Sequence, residues 1–262
     1  MSIWNLGGTA IINRPLFLRT IFLYRLELIT MSTLFNYNAI KDWIPFIFKG
    51  LNITLIIAAV AAVFGVLLGI ALVVMARIKI VNKLSTIYID IFRGTPLILQ
   101  LSVVYFAVPQ FLDRVINGMM GFDFDFQLSG IIAAFITFSL NSAAYISEII
   151  RSGINSVDIG EIEAAKALGV SKFHTYKDII LPIAFKNSFP ALMNEFITLV
   201  KESSIVSIIG IQDLIRRQQI VTSQTYMYFE PLIVVGIIYY VVIKILSYVG
   251  RKVEVKLAHG RS

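Results

Sequence analysis

Apolar residues in this chain gather into long blocks, and the charged residues collect in the short stretches between them. Leu51 to Ala76 contains no charged side chain at all. A helix that crosses a bilayer needs about 20 mostly apolar residues, because the hydrocarbon core is about 30 Å thick and each residue rises about 1.5 Å. Four further blocks reach that length: Gly94 to Leu112, just after Asp90 and Arg93; Phe126 to Ser147; Phe189 to Ile209; and Pro231 to Gly250. Glu195, Lys201 and Glu202 interrupt the fourth, and the fifth carries only Lys244, placed where its ammonium can snorkel to the interface. The pattern predicts an all-α integral membrane helical bundle of five transmembrane helices, occupying residues 51–250. Gly65 and Gly69 in the first block are spaced for close helix packing.

Ahead of the first block, Ile40 to Phe48 is amphipathic, and its Trp43, Phe46 and Phe48 suit an interfacial helix within residues 31–50. Residues 1–30 fit less well: Arg14, Arg19 and Arg25 break up their apolar runs, and no signal-peptide order is visible. We expect Met31 to be the native start and residues 1–30 to be a non-native or disordered extension.

The basic residues give an orientation. Arg77, Lys79 and Lys83 follow the first block. Arg151, Lys166, Lys172, Lys177 and Lys186 follow the third, and Arg251, Lys252, Lys256 and Arg261 follow the fifth. The opposite side holds Lys41, Lys49, Arg114, Arg216 and Arg217. The expected topology puts the C-terminus, with a tail at residues 251–262, in the cytoplasm and the N-terminus outside.

Composition narrows the function. The chain is 57% hydrophobic and 15% charged, with a mean hydropathy of +0.81, which excludes a soluble domain. The net charge of +7 is spread between apolar blocks, a pattern of membrane orientation and not of nucleic-acid binding. With no cysteine, and with His174 and His259 both in polar segments, thiolate chemistry and an intramembrane histidine centre are excluded for the single chain.

The segment 151–187 between the third and fourth blocks reads as helical. Asp158 is placed to cap a helix with Glu161 at its third position, a capping-box arrangement. Good helix formers follow from Ile159 to Leu168, and Gly169 is placed as the left-handed terminator. This helix is too short to span, and its alanines permit close approach by a partner. Ser171 is placed to cap a second helix that Pro182 stops after Leu181.

Glu163-Ala164-Ala165-Lys166-Ala167-Leu168-Gly169, followed by Ile180-Leu181-Pro182, resembles the EAA loop of ABC importer permeases. Ala143 to Ile154 and Phe92-Arg93-Gly94-Thr95-Pro96-Leu97 through Gln100-Leu101 resemble the polar amino-acid branch of that family. Downstream, Pro190, Asn194 and Lys201 to Ile205 extend the match, which covers about residues 40–255. Glu161, Ile183 and Glu202 depart from the branch pattern.

The resemblance implies a type I importer fold that translocates polar amino acids. Coupling to cytoplasmic ABC ATPase subunits would run through Glu163, Ala164, Ala165, Gly169, Leu181 and Pro182. A second permease subunit, identical or paralogous, would stand beside it, and an extracellular solute-binding protein would deliver the solute. The chain has no Gly-x-x-x-x-Gly-Lys-Ser/Thr stretch to cradle phosphates. Accordingly no cofactor and no catalysis are expected in this chain, and ATP and Mg are expected in the partner ATPase.

Ionisable groups within spans usually face a cavity or a partner. Asn194 and Lys201 are seven apart, as are Glu195 and Glu202, and Asn141, Tyr145 and Glu148 share one face of the third span. These seven are candidate pathway residues; an ion pair of Lys201 with either glutamate, holding two subunits together, is the alternative. Arg93 either anchors its helix end to a lipid headgroup or neighbouring loop, or takes part in gating. An ion-coupled secondary transporter remains the competing class, since intramembrane Glu and Lys can carry protons, although no inverted repeat is visible.

Overall fold

The computed structural model describes residues 35–121 and 125–259, and its elements there are all helical. The expectations for residues 1–30 and for a start at Met31 lie outside the described residues.

Residues 35–49 form a short run of helical turns, α1 (Tyr37–Ile40), a 3-10 turn (Lys41–Trp43) and α2 (Ile44–Phe48), which leads directly into the long helix α3 (Gly50–Met75). This run is docked, with Ile40 and Ile47 fully buried against Leu214, Val221, Val234 and Val235. Arg217 fixes it further: its Nη1 donates to the Phe46 carbonyl at 3.2 Å, and its guanidinium lies 4.7 Å from the centre of the Phe46 ring. Gly50 is required at the junction, because a Cβ there would lie 2.6 Å from the Leu214 nitrogen.

The second expected block is not one straight helix. α4 (Lys79–Gly94) precedes it, and the chain bends by 104° into α5 (Leu97–Ser102), a π turn (Val103–Ala107) and α6 (Val108–Met120), the geometry of a broken span or of a re-entrant turn. The cause is local: Pro96 biases Thr95 away from the helical region, and Thr95 adopts φ −121°, ψ 146°. α7 (Gly130–Asn155) starts four residues later than expected and runs eight further. Its start is delayed because the Phe126 N–H donates to Asp113 Oδ1 at 2.8 Å, which ties that residue to α6.

After α7 come α8 (Ile159–Ala167), the single turn α9 (Lys172–His174), a π turn (Thr175–Ile180), α10 (Leu181–Glu202) and a 3-10 turn (Ser203–Ile209). Pro182 therefore opens a helix and does not stop one. Proline is tolerated in a first turn, where its missing N–H costs nothing, and the preceding π turn carries the chain into it. The same arrangement precedes Pro109 in α6. The last elements are α11 (Leu214–Thr225) and α12 (Phe229–His259), so residues 251–259 continue a helix.

By length and composition, three helical stretches among the described residues are able to cross a membrane, Tyr37–Met75, Gly130–Asn155 and Phe229–Leu257, and the bent α4–α6 pair makes a fourth if its two arms form one span. The expected fourth block falls in α10, whose Lys186, Glu195, Lys201 and Glu202 keep it from qualifying on apolarity alone. α7 is the central helix: 61% of its apolar window is buried within the chain, against 17% for α12. The core joins Ile57, Ala58 and Ala61 of α3 to Leu101, Phe138, Leu199 and Val206. α3 reaches α7 through glycine, since a Cβ on Gly65 would lie 2.8 Å from Ser142 Oγ and one on Gly69 would lie 3.0 Å from Ile146. Without a hydrophobic drive between helices in lipid, such close approach is what holds them.

Gly65→Leu is expected to force α3 and α7 apart and to cost about 1–3 kcal/mol of stability. Thermal unfolding of the detergent-solubilised protein should show a lowered midpoint, and an unchanged midpoint would mean that the contact at Gly65 is slack.

Candidate coupling and pathway sites

The helix α8 has the two cap residues its sequence predicts, Asp158 and Gly169, but at its start the Asp158 side chain holds the N–H of Gly160 and not that of Glu161, as a capping box would. Asp158 Oδ1 accepts the Gly160 N–H at 2.7 Å. At the C-terminus Gly169 has φ +75°; its N–H donates to the Lys166 carbonyl at 3.1 Å, and the Val170 N–H donates to Ala165 at 3.0 Å. These two bonds form a Schellman cap, which needs the left-handed conformation that glycine takes without strain. Glu161 lies in the first turn, where its charge opposes the helix dipole.

The outward surface of α8 carries Ile159, Glu163, Ala164 and Lys166, and continues into Leu168, which is 83% exposed. Ala165 points the other way and is 4% exposed. It therefore packs within its own chain, and a large side chain there would disrupt the loop before it met any partner. Leu181 and Pro182 are exposed but separate from that surface: Leu181 lines a groove between α3 and α10, and Pro182 lines a cavity of about 860 Å³ with Glu161, Lys186 and Lys256.

The pathway candidates divide into three places. Asn141 is 4% exposed, and its amide serves the break between α4 and α5. Its Nδ2 donates to the Phe92 carbonyl at 3.2 Å and to Gln100 Oε1 at 3.0 Å. Gln100 Nε2 in turn donates to Phe92 O at 2.8 Å, Thr95 Oγ1 at 2.9 Å and Thr95 O at 3.1 Å. An irregular backbone at membrane depth must be satisfied from within the protein, and these two side chains do so. Gln100 follows Pro96 by four residues, the one sequence signal that could have marked it for this task.

Tyr145 and Glu148 meet Arg93. Glu148 Oε2 lies 3.5 Å from Arg93 Nη1, and Glu148 Oε1 accepts from Arg151 Nη1 at 3.2 Å. The Arg93 guanidinium is 5.5 Å from the Tyr145 ring centre. Arg93 thus ties the end of α4 to α7, beside a cavity of about 460 Å³ that also touches Ser152, Ser156 and Asn187.

On α10 the two expected faces are present. Asn194 and Lys201 are exposed, while Glu195 and Glu202 are half-buried. Glu195 Oε1 accepts from Ser142 of α7 at 3.2 Å, a partner that the sequence reading passed over. Among the described residues Lys201 forms no ion pair with either glutamate. Beyond the spans, Asp213 caps α11 by accepting the Arg216 N–H at 2.8 Å, and burial pushes its carboxyl up to about 6. Among the described residues no group of three His, Asp or Glu side chains gathers as a metal site.

The described residues thus form an apolar helical bundle with a short capped helix, α8, between α7 and α10. The chain belongs to the family of binding-protein-dependent transport system inner membrane components, whose model matches residues 61–258. It is 47% identical to the arginine transport system permease protein ArtQ of Bacillus subtilis (strain 168), over 85% of this chain and 97% of the relative. It is 45% identical to a putative glutamine transport system permease protein GlnP of Rickettsia bellii (strain RML369-C), over 82% and 94%. A crystal structure of an amino acid ABC transporter with histidines has 36% identity and a TM-score of 0.76, covering 84% of this chain and 98% of that one. The fold is that of an ABC importer permease.

Asn141→Leu is expected to leave Gln100 Oε1 without its donor and to cost about 1–3 kcal/mol. Combining it with Gln100→Leu should cost less than the sum of the two single changes, because both serve one break. Strict additivity of the unfolding free energies would show that the two side chains act independently.

Proposed function

We propose that this chain is the membrane-spanning permease subunit of an ABC importer that translocates polar amino acids, driven by a separate ATPase through α8. The observation that carries the coupling assignment is the outward surface of α8, held between the Asp158 cap and the Gly169 Schellman turn. An ordered surface outside the spans is what a motor needs to push on, since motion passes through contact between rigid elements. The amino-acid class is supported by the relatives ArtQ and GlnP, an arginine transport permease and a putative glutamine transport permease.

In this reading the chain crosses five times: α3, the broken α4–α6 pair, α7, α10 with its 3-10 turn, and α12. The basic residues around α8 and the end of α12 support a cytoplasmic location for those segments and the C-terminus. A second permease subunit covers the exposed face of α10, where Lys201 and Asn194 line the route or meet the neighbour. A solute-binding protein delivers from outside, and ATP and Mg are held by the ATPase. The ion-coupled alternative leaves α8 without a purpose.

Proteoliposomes holding the permease, its ATPase and its binding protein should take up labelled arginine or glutamine on addition of Mg-ATP. A proton gradient alone should give none, and uptake under a proton gradient without ATP would overturn the reading. Gly169→Val should abolish most ATP-driven uptake while the protein still inserts, because a β-branched residue is strained at φ +75°.

A further inference from the structure

A groove of about 570 Å³ runs between α3 and α10 over α7 and opens at the surface of the bundle. One wall carries Val66, Ile70 and Val73 and ends at Arg77; the facing wall carries Leu192, Ser188 and Phe185 and ends at Leu181. Both walls repeat at spacings of four, three and four residues, so each presents a single helical stripe. Eleven residues at about 1.5 Å each give a length of about 16 Å, close to half of the roughly 30 Å hydrocarbon core and hence to one leaflet. Ile150 and Ile154 form the floor, and Ser188 is among the few polar side chains along it.

The polar end is specific. Arg77 stands where α3 leaves the apolar block, on the side where the basic residues collect. Its Nη2 donates to the Tyr176 hydroxyl at 2.5 Å, and its guanidinium lies 4.9 Å from the centre of that ring. One tyrosine thus holds the guanidinium over the mouth, while its remaining N–H groups stay open to an anion.

We infer that this groove binds one anionic phospholipid, with an acyl chain lying between α3 and α10 and the headgroup phosphate on Arg77. An apolar slot one leaflet deep with a fixed guanidinium at its interfacial mouth matches the two halves of such a molecule. Arg77 itself is exposed, so the phosphate gains attraction without an expensive desolvation.

The test uses the full-length chain purified into mild detergent, exchanged into mixed micelles of dioleoyl phosphatidylglycerol and dioleoyl phosphatidylcholine, and analysed by native mass spectrometry. The wild type should retain one phosphatidylglycerol in preference to phosphatidylcholine. Arg77→Gln should reduce that preference about fivefold, the effect of one basic residue near a charged surface. Ile70→Trp should fill the slot and reduce retention of both lipids, and Lys41→Gln, on the opposite side, should change neither. Equal retention in wild type, Arg77→Gln and Ile70→Trp would overturn the assignment. So would a loss of chain-to-chain association in Ile70→Trp with lipid retention intact, which would give the groove to a second copy. Thermal unfolding of each variant without added lipid separates loss of the site from loss of the fold.

Discussion

The backbone at Gly94–Pro96 breaks inside a chain that lives in lipid, and the carbonyls it frees must find donors within the protein. Gln100 and Asn141 supply them, one from the residues after the break and one from the central helix α7. Because Asn141 comes from α7, the bent pair α4–α6 is fixed against the element that packs on α3 and α10 as well. Arg93 then reaches Glu148 on α7, so the two helices are joined on either side of the break.

Close packing carries the rest. Gly65 and Gly69 bring α3 onto α7, and Gly153 admits α10 to the same helix beside Ser188 and Ala184. α7 thereby becomes a spine with a neighbour on each side, which leaves α12 at the periphery with most of its apolar surface uncovered by the rest of the chain. The N-terminal run at residues 37–48 and α11 close the other end, held by Arg217 and by the tight junction at Gly50. What emerges is a bundle whose spans are braced against one another and a loop, at residues 156–180, that stands outside them.

The apolar blocks, the Gly65 and Gly69 pair, and the α8 caps at Asp158 and Gly169 were legible in the sequence, because each depends on local composition or on one residue's conformational freedom. The ends of the helices were less so. Pro182 reads as a stop signal, yet the π turn before it lets the chain pass into α10, and π turns leave no clear compositional mark. Phe126 looks like the start of a span until its N–H is taken by Asp113, a tertiary contact. Asn141 is a pathway candidate in the sequence because it shares one helical face with Tyr145 and Glu148, and in the structure its amide donates to the backbone of another helix and to Gln100. Ala165 belongs to the EAA stretch, but helical phase alone did not say that it turns inward. The break of α4 is announced by Pro96, while the partners of the backbone freed there, Gln100 and Asn141, depend on tertiary packing.

The role of α8 as the contact through which ATP hydrolysis moves the spans is the claim on which the function rests. The chain contains no cysteine, so Ala164→Cys gives a single site for a nitroxide spin label on the outward surface of α8. Its electron paramagnetic resonance spectrum should be mobile in the isolated permease, become immobilised when the ATPase assembles, and change again when nucleotide binds. A spectrum that stays mobile in the fully assembled, transporting complex would contradict the account.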